Sequence, residues 1–242
     1  VIVFPAIDIL DGRAVRLHKG EYGSPTVYTN DPLEAARRWA DQGAEFLHIV
    51  DLDGAREGRP VNLESIELIT SELGIPVQTG GGVRALTTVE QLIAAGVSRV
   101  VVGTAAMRDP DFLAAALELA GDDRIVVAVD ARGGEVSVEG WTEGSGVPVS
   151  EAVGDLGQRG ARRFLFTAIE TDGTMEGPDL ESLSAVAGST PYPVIASGGV
   201  GTLSDLSELA ASAPANVEGV IVGKALYEGR FDVSEAIQAA RP

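Results

Sequence analysis

Eight short segments along the chain, at 2–7, 46–50, 76–79, 99–102, 125–129, 163–168, 193–196 and 219–222, are almost continuously apolar and rich in β-branched residues. Strands that are wet on one face alternate apolar with polar residues, whereas unbroken runs suit strands covered on both faces, as in parallel sheets. Between these runs, 32–42, 63–73, 87–95, 111–119, 149–159, 180–187, 203–211 and 233–240 place apolar residues three and four apart, the spacing of amphipathic helices. Asp31 ahead of Pro32 supplies a cap and a first-turn proline, and Gly43 follows as a stop. Strand and helix alternate throughout with no linker-like stretch, which predicts a closed (β/α)8 TIM barrel forming a single domain over 1–242. The alternative, an open doubly wound sheet, would carry a GxGxxG fingerprint that is absent here.

The chain also matches itself at half its length. Asp8 falls on Asp130, Asp53-Gly54-Ala55 on Asp172-Gly173-Thr174, Gly81-Gly82-Val83 on Gly198-Gly199-Val200, and VVVGTAA at 100–106 on VIVGKAL at 220–226. Four matches in one order predict two half-barrels, about 1–122 and 123–242, each with four βα units. The repeated positions cluster just past the C-terminal ends of strands. Barrel enzymes build their sites on that face.

Composition narrows the chemistry. A net charge of −18, from 36 acids and 18 bases, repels nucleic-acid phosphate and anionic membrane surfaces. Any anion site must therefore be local, made of backbone N–H groups and helix ends. The absence of cysteine rules out disulfides, thiolate metal ligands and thiol nucleophiles, and with only His18 and His48 no metal centre rich in histidine is expected. The opening VIVFPAIDIL is too short to span a membrane and has no basic start, so the expected compartment is the cytoplasm.

The glycine runs supply candidate anion cradles. Gly81 and Gly82 end the third strand and Gly103-Thr104 the fourth; their repeat partners are Gly198-Gly199 and Gly223-Lys224. Glycine lets the backbone come close to a ligand, and the helix starts that follow favour negative charge. A pair of cradles predicts a substrate with two phosphates spanning the mouth. Thr104 would add a hydroxyl, and Lys224 and Arg16 cations. Asp8 and Asp130, on opposite strands, and Asp172, after the sixth, place three carboxylates in one mouth, with the hydroxyl of Thr167 beside them. Crowded carboxylates in a dry site leave at least one protonated near neutrality, which suits proton transfer without metal or cofactor. His48 reads either as a packed core histidine or as a site residue, and Trp141 in a glycine-rich loop as a stacking surface for a planar ligand or a docking residue for the loop itself.

FPAIDILDGRAVRLHKG, LHIVDLDGA, QTGGGVR, VDARGGEVSVEGW, TAIETDGT and EGVIVGKALYEG together resemble the phosphoribosylformimino-5-aminoimidazole carboxamide ribotide isomerase family of histidine biosynthesis. The resemblance implies an Amadori rearrangement of a bis-phosphorylated ribosyl substrate, without a cofactor; a monomer is expected. It makes Asp8 the base that removes the C2′ proton and leaves the acid that opens the furanose as either Asp130 or Asp172. It also implies that Thr167 supports the ribose, that Trp141 closes over the substrate and that His48 and Arg16 line the site, with Gly173 joining the phosphate-binding residues. Ala168 and Thr171 depart from the family's usual residues around the sixth strand.

A bifunctional branch of the family also isomerises phosphoribosyl anthranilate, using an arginine two places before the loop tryptophan; here that place is Glu139. The sister cyclase, imidazole glycerol phosphate synthase, resembles this chain in its repeat, but typically opens ACLDVKDGRVVKG, with a lysine where PAIDILDGRAVRL has none. The remaining alternative is a non-catalytic barrel that binds phosphorylated metabolites.

Overall fold

A computed structural model describes residues 1–18, 21–138 and 143–241. The apolar segments become β1 (Ile2–Leu10), β2 (Leu47–Asp51), β3 (Val77–Gly80), β4 (Arg99–Val102), β5 (Ile125–Arg132), β6 (Phe164–Ala168), β7 (Val194–Ser197) and β8 (Val217–Val222). Each pairs in parallel with the next and β8 pairs with β1, so the sheet closes into a (β/α)8 barrel. The outer helices follow the predicted periodicity; at Pro32–Asp41 the Asp31 carboxylate accepts the Leu33 N–H at 2.9 Å, with proline in the first turn.

Strand residues of one parity, such as Ile7, Ile9, Ile49, Val100 and Val127, pack outward against helices. Those of the other parity, Phe4, Ala6, Val101, Val126, Leu165, Ile195 and Ile221, fill the barrel with Phe46. Burial on both faces is why the runs do not alternate. The N-terminal end is plugged by Glu218, which accepts from Arg99 at 3.0 Å and Arg163 at 2.8 Å, with the Arg99 guanidinium 4.7 Å from the Phe46 ring. Only the C-terminal end is left for a site.

Two features exceed the sequence reading. Antiparallel hairpins rise after β1 (Arg13–His18 with Glu21–Thr29) and after β5 (Glu135–Val138 with Glu143–Pro148). The two-residue turns that join β1 and β5 to them, Asp11-Gly12 and Gly133-Gly134, have positive φ at both residues, as a type I′ turn demands. Short helices also follow β2, β4 and β8, at Leu52–Glu57, Thr104–Arg108 and Lys224–Tyr227.

The hairpins extend the repeat, for Asp11 and Gly133 are as far apart as Asp8 and Asp130. The Asp11 N–H donates to Asp53 Oδ2 at 2.7 Å, and the Gly133 N–H to Glu170 Oε1, also at 2.7 Å. Each hairpin is thus latched at its turn by a carboxylate from the neighbouring βα loop. The settings differ: Asp53 is buried and also takes Asn62 Nδ2 at 2.8 Å, whereas Glu170 is exposed. Asp53→Ala strands two donors and is expected to cost about 2–3 kcal/mol, against less than about 1 kcal/mol for Glu170→Ala, whose amide can turn to water. Urea unfolding of the two variants measures the difference; equal losses would contradict the asymmetry.

Candidate active site

Parity carries the site as well as the core. Asp8, His48, Asp130, Thr167 and Ser197 all face inward near the C-terminal ends of their strands and line a cavity of about 310 Å³ at the barrel mouth. Arg16, Gly81, Gly82, Gly103, Thr104 and Asp172 line the same cavity. Gly173, Gly198, Gly199, Gly223 and Lys224 form an adjoining pocket that shares Arg16, Asp172 and Ser197 with it. Residues from both halves therefore converge. Trp141 and Glu139 lie outside the described residues.

The charged centre is a guanidinium between two carboxylates. Arg16, carried in by the first hairpin, donates from Nη1 to Asp8 Oδ2 at 2.9 Å and stands with Nη2 3.7 Å from Asp172 Oδ1. It lies so close to Gly223 that a Cβ there would be 2.7 Å from Arg16 Cζ. This engagement differs from the sequence expectation of Arg16 as an added phosphate cation: its guanidinium is held by carboxylates. The Asp8 carboxyl is pushed up to about 6, first by burial, against the lowering effect of Arg16 and with a smaller push from the Asp172 charge. Desolvation outweighs the crowding of like charges that the sequence suggested.

His48 on β2 is buried, and its Nδ1 lies 3.0 Å from Gln78 Nε2 on β3. Burial, followed by the nearby Arg16 charge, pushes the imidazole down to about 3, so the ring is neutral. It is thus both a packed, hydrogen-bonded histidine and a cavity wall.

The cradles take their shape from loop packing. A Cβ at Gly82 would sit 2.1 Å from the Gly54 carbonyl oxygen, and one at Gly199 2.0 Å from that of Gly177, both at positive φ. Each of these glycines is required because its loop presses on a neighbouring loop, a constraint the sequence did not show. Gly103 is different: its φ is −107° and the nearest atom to an added Cβ is 3.9 Å away. Gly103 and Gly223 cap the short helices after β4 and β8, whose first two N–H groups have no intrahelical acceptor by geometry, while those of Ala106 and Leu226 donate to the capping glycine carbonyls. Such N–H groups and the dipole behind them favour an anion. Lys224 Nζ donates to the Gly173 carbonyl at 2.9 Å, tying the turn after β6 to the second cradle.

A family model described as "Histidine biosynthesis protein" matches residues 2–232. The chain belongs to this histidine biosynthesis protein family. It is 50% identical over 239 residues, 98% of this chain and 92% of the relative, to a Synechococcus sp. (strain CC9311) protein. It is 49% identical over 242 residues, 99% of this chain and 93% of the relative, to one from Rippkaea orientalis (strain PCC 8801 / RF-1). Both are named 1-(5-phosphoribosyl)-5-((5-phosphoribosylamino)methylideneamino) imidazole-4-carboxamide isomerase. In this histidine biosynthesis protein, no helix among the described residues is long and apolar enough to cross a membrane.

Sequence reasoning missed several cavity residues. Tyr22, whose hydroxyl donates to the Leu52 carbonyl at 3.2 Å, belongs to the first hairpin, to which the apolar pattern assigns no element. Arg84 stands two places after the glycine run and Ser197 directly before its repeat partner, so both carried a positional signal. Gln78, which contacts His48 from the neighbouring strand without lining the cavity, had none beyond being a polar residue in an apolar strand.

Proposed function

We infer that this chain catalyses the Amadori rearrangement of N′-((5′-phosphoribosyl)formimino)-5-aminoimidazole-4-carboxamide ribonucleotide to its ribulosyl form, a step of histidine biosynthesis. The observation that carries this reading is one guanidinium joining Asp8 and Asp172 between two anion cradles at the mouth of one barrel. A bis-phosphorylated substrate fits that layout, with each phosphate on one short-helix start and the reacting ribose at the carboxylates.

In this reading Asp172 gives a proton to the ring oxygen, the C1′–O4′ bond breaks, and the nitrogen lone pair forms a protonated imine at C1′. Ionised Asp8 then removes the C2′ proton to give an enolamine. Protonation at C1′ and loss of the O2′ proton yield the aminoketose, so atoms and charge balance. Ring opening and C2′ deprotonation occur on adjacent parts of one sugar, so the acid and base must stand close together. Asp172 meets that need by sharing Arg16 with Asp8; Asp130 faces them from the far wall, with Thr167 in register beside it on β6. Arg16 orients both carboxylates, and Lys224 with the Gly173 turn closes the phosphate end.

The chain works, in this reading, as a monomeric cytoplasmic enzyme of one two-half domain on a small molecule, without a cofactor. Incubating the purified chain with the aminoaldose tests it: conversion to the aminoketose is expected with no added cofactor, and its absence would leave a binding barrel. Asp172→Asn should lose more turnover than Asp130→Asn, and the reverse order would transfer the acid's role to Asp130. Phosphoribosyl anthranilate is expected to turn over weakly or not at all, because the sequence has an acid, Glu139, where the bifunctional branch has an arginine for that carboxylate. Measurable turnover at physiological substrate levels would contradict this.

A further inference from the structure

His48 and Gln78 stand opposite each other in register on β2 and β3, and the reaction sequence above uses neither. Gln78 has no exposure and His48 6%. The contact between them is an amide nitrogen on a ring nitrogen, at 3.0 Å. An amide N–H only donates, so Nδ1 must be the acceptor, and a neutral imidazole then carries its proton on Nε2. Among the described residues the buried polar atoms without a partner are Arg16 Nε, Trp39 Nε1, Gln78 Oε1 and Tyr227 OH. His48 Nε2 is not one of them and no hydrogen bond from another described residue engages it; His48 lines the cavity, and this nitrogen is the one left to face it.

We propose that Gln78 is a positioning residue that holds His48 as a neutral Nε2–H donor to a hydroxyl or carbonyl oxygen of the substrate, on the stretch between its two phosphates. The identity of that substrate rests on the function proposed above; the tautomer does not. The orphaned Gln78 Oε1 is the cost of this arrangement: turning the amide over would let that oxygen accept from an Nδ1–H and would reverse the tautomer, so the two orientations make opposite predictions for the ring. The titratable groups sharing the cavity are Asp8, Arg16, Tyr22, Arg84, Asp130 and Asp172. Beside Arg16 a second cation would be repelled and would compete for Asp8, whereas a neutral donor fixes an oxygen in place and leaves proton traffic to the carboxylates.

The chain has only His18 and His48, so side-chain 15N spectra of labelled protein can be assigned with one His18→Gln sample. His48 is expected to show a protonated Nε2 and a bare Nδ1, unchanged between about pH 5 and 8. A protonated Nδ1, or a titration inside that range, would overturn the proposal. In kinetics, His48→Gln, which keeps an N–H donor, should retain more kcat/KM than His48→Leu, which should fall about tenfold, the worth of one neutral hydrogen bond. Gln78→Glu, whose carboxylate accepts a hydrogen bond from an Nδ1–H, should invert the tautomer and lower kcat/KM at least as much. Equal kinetics for His48→Gln and His48→Leu would reduce the pair to packing. Failure of the unsubstituted chain to turn over the aminoaldose would remove the substrate contact along with the functional reading, while the spectra would still decide the tautomer.

Discussion

Asp8→Asn is expected to lower kcat by about 100- to 10,000-fold, the usual share of a positioned proton-transfer group, while inorganic phosphate still binds at both cradles. The asparagine keeps the shape of the carboxyl and a hydrogen-bond acceptor for Arg16, which also retains Asp172 at 3.7 Å. What disappears is the basic oxygen. Isothermal calorimetry with phosphate beside turnover of the aminoaldose separates these effects; a variant within tenfold of the parent would remove Asp8 from the base's role.

The same substitution has a stability signature of opposite sign. Burial holds the folded Asp8 carboxyl at about 6, above its ordinary 3.8, so the folded chain binds this proton more tightly than the unfolded one. The contribution to stability is complete below the unfolded value and is lost as pH rises through about 6. Asparagine resembles the protonated acid at every pH. Asp8→Asn should therefore be more stable than the parent by up to about 3 kcal/mol at pH 8, with the difference vanishing toward pH 4. In turnover, kcat/KM of the parent should rise through about pH 6 as the base ionises, where an ordinary aspartate would place that limb near 3.8.

The barrel was legible because every strand is covered on both faces. Residues such as Ile7 outside and Ala6 inside are both apolar, for different neighbours, and the unbroken run records both. The internal repeat pointed to residues that line the cavity because Asp8 and Asp130, and the two glycine pairs, recur at strand ends. Their partners were less visible. Sequence pairing matched Asp53 with Asp172, yet the first latches a hairpin and the second meets Arg16. Duplicated residues keep their place in the fold while the side chains facing them change. The hairpins were missed although Asp11-Gly12 and Gly133-Gly134 are turn dipeptides, because their strands, such as 13–18, mix charged with apolar residues and gave no continuous run.

Gly199→Ala and Gly103→Ala separate the two reasons a cradle glycine can exist. At Gly199 an added methyl would meet the Gly177 carbonyl oxygen at 2.0 Å, and φ of 89° disfavours any L side chain, so the backbone of both loops must shift. Overpacking together with the backbone strain is expected to cost about 3–5 kcal/mol, shifting the urea midpoint strongly downward and weakening phosphate binding as the loops part. At Gly103 the methyl would lie 3.9 Å from its nearest neighbour at an ordinary φ, so stability should change by less than about 1 kcal/mol. Its effect should fall on the ligand instead: the methyl stands where an anion would approach the first-turn N–H groups of Thr104–Arg108, and KM should rise with kcat little changed. If Gly103→Ala left KM untouched, the first cradle would be a turn that packs well and binds nothing.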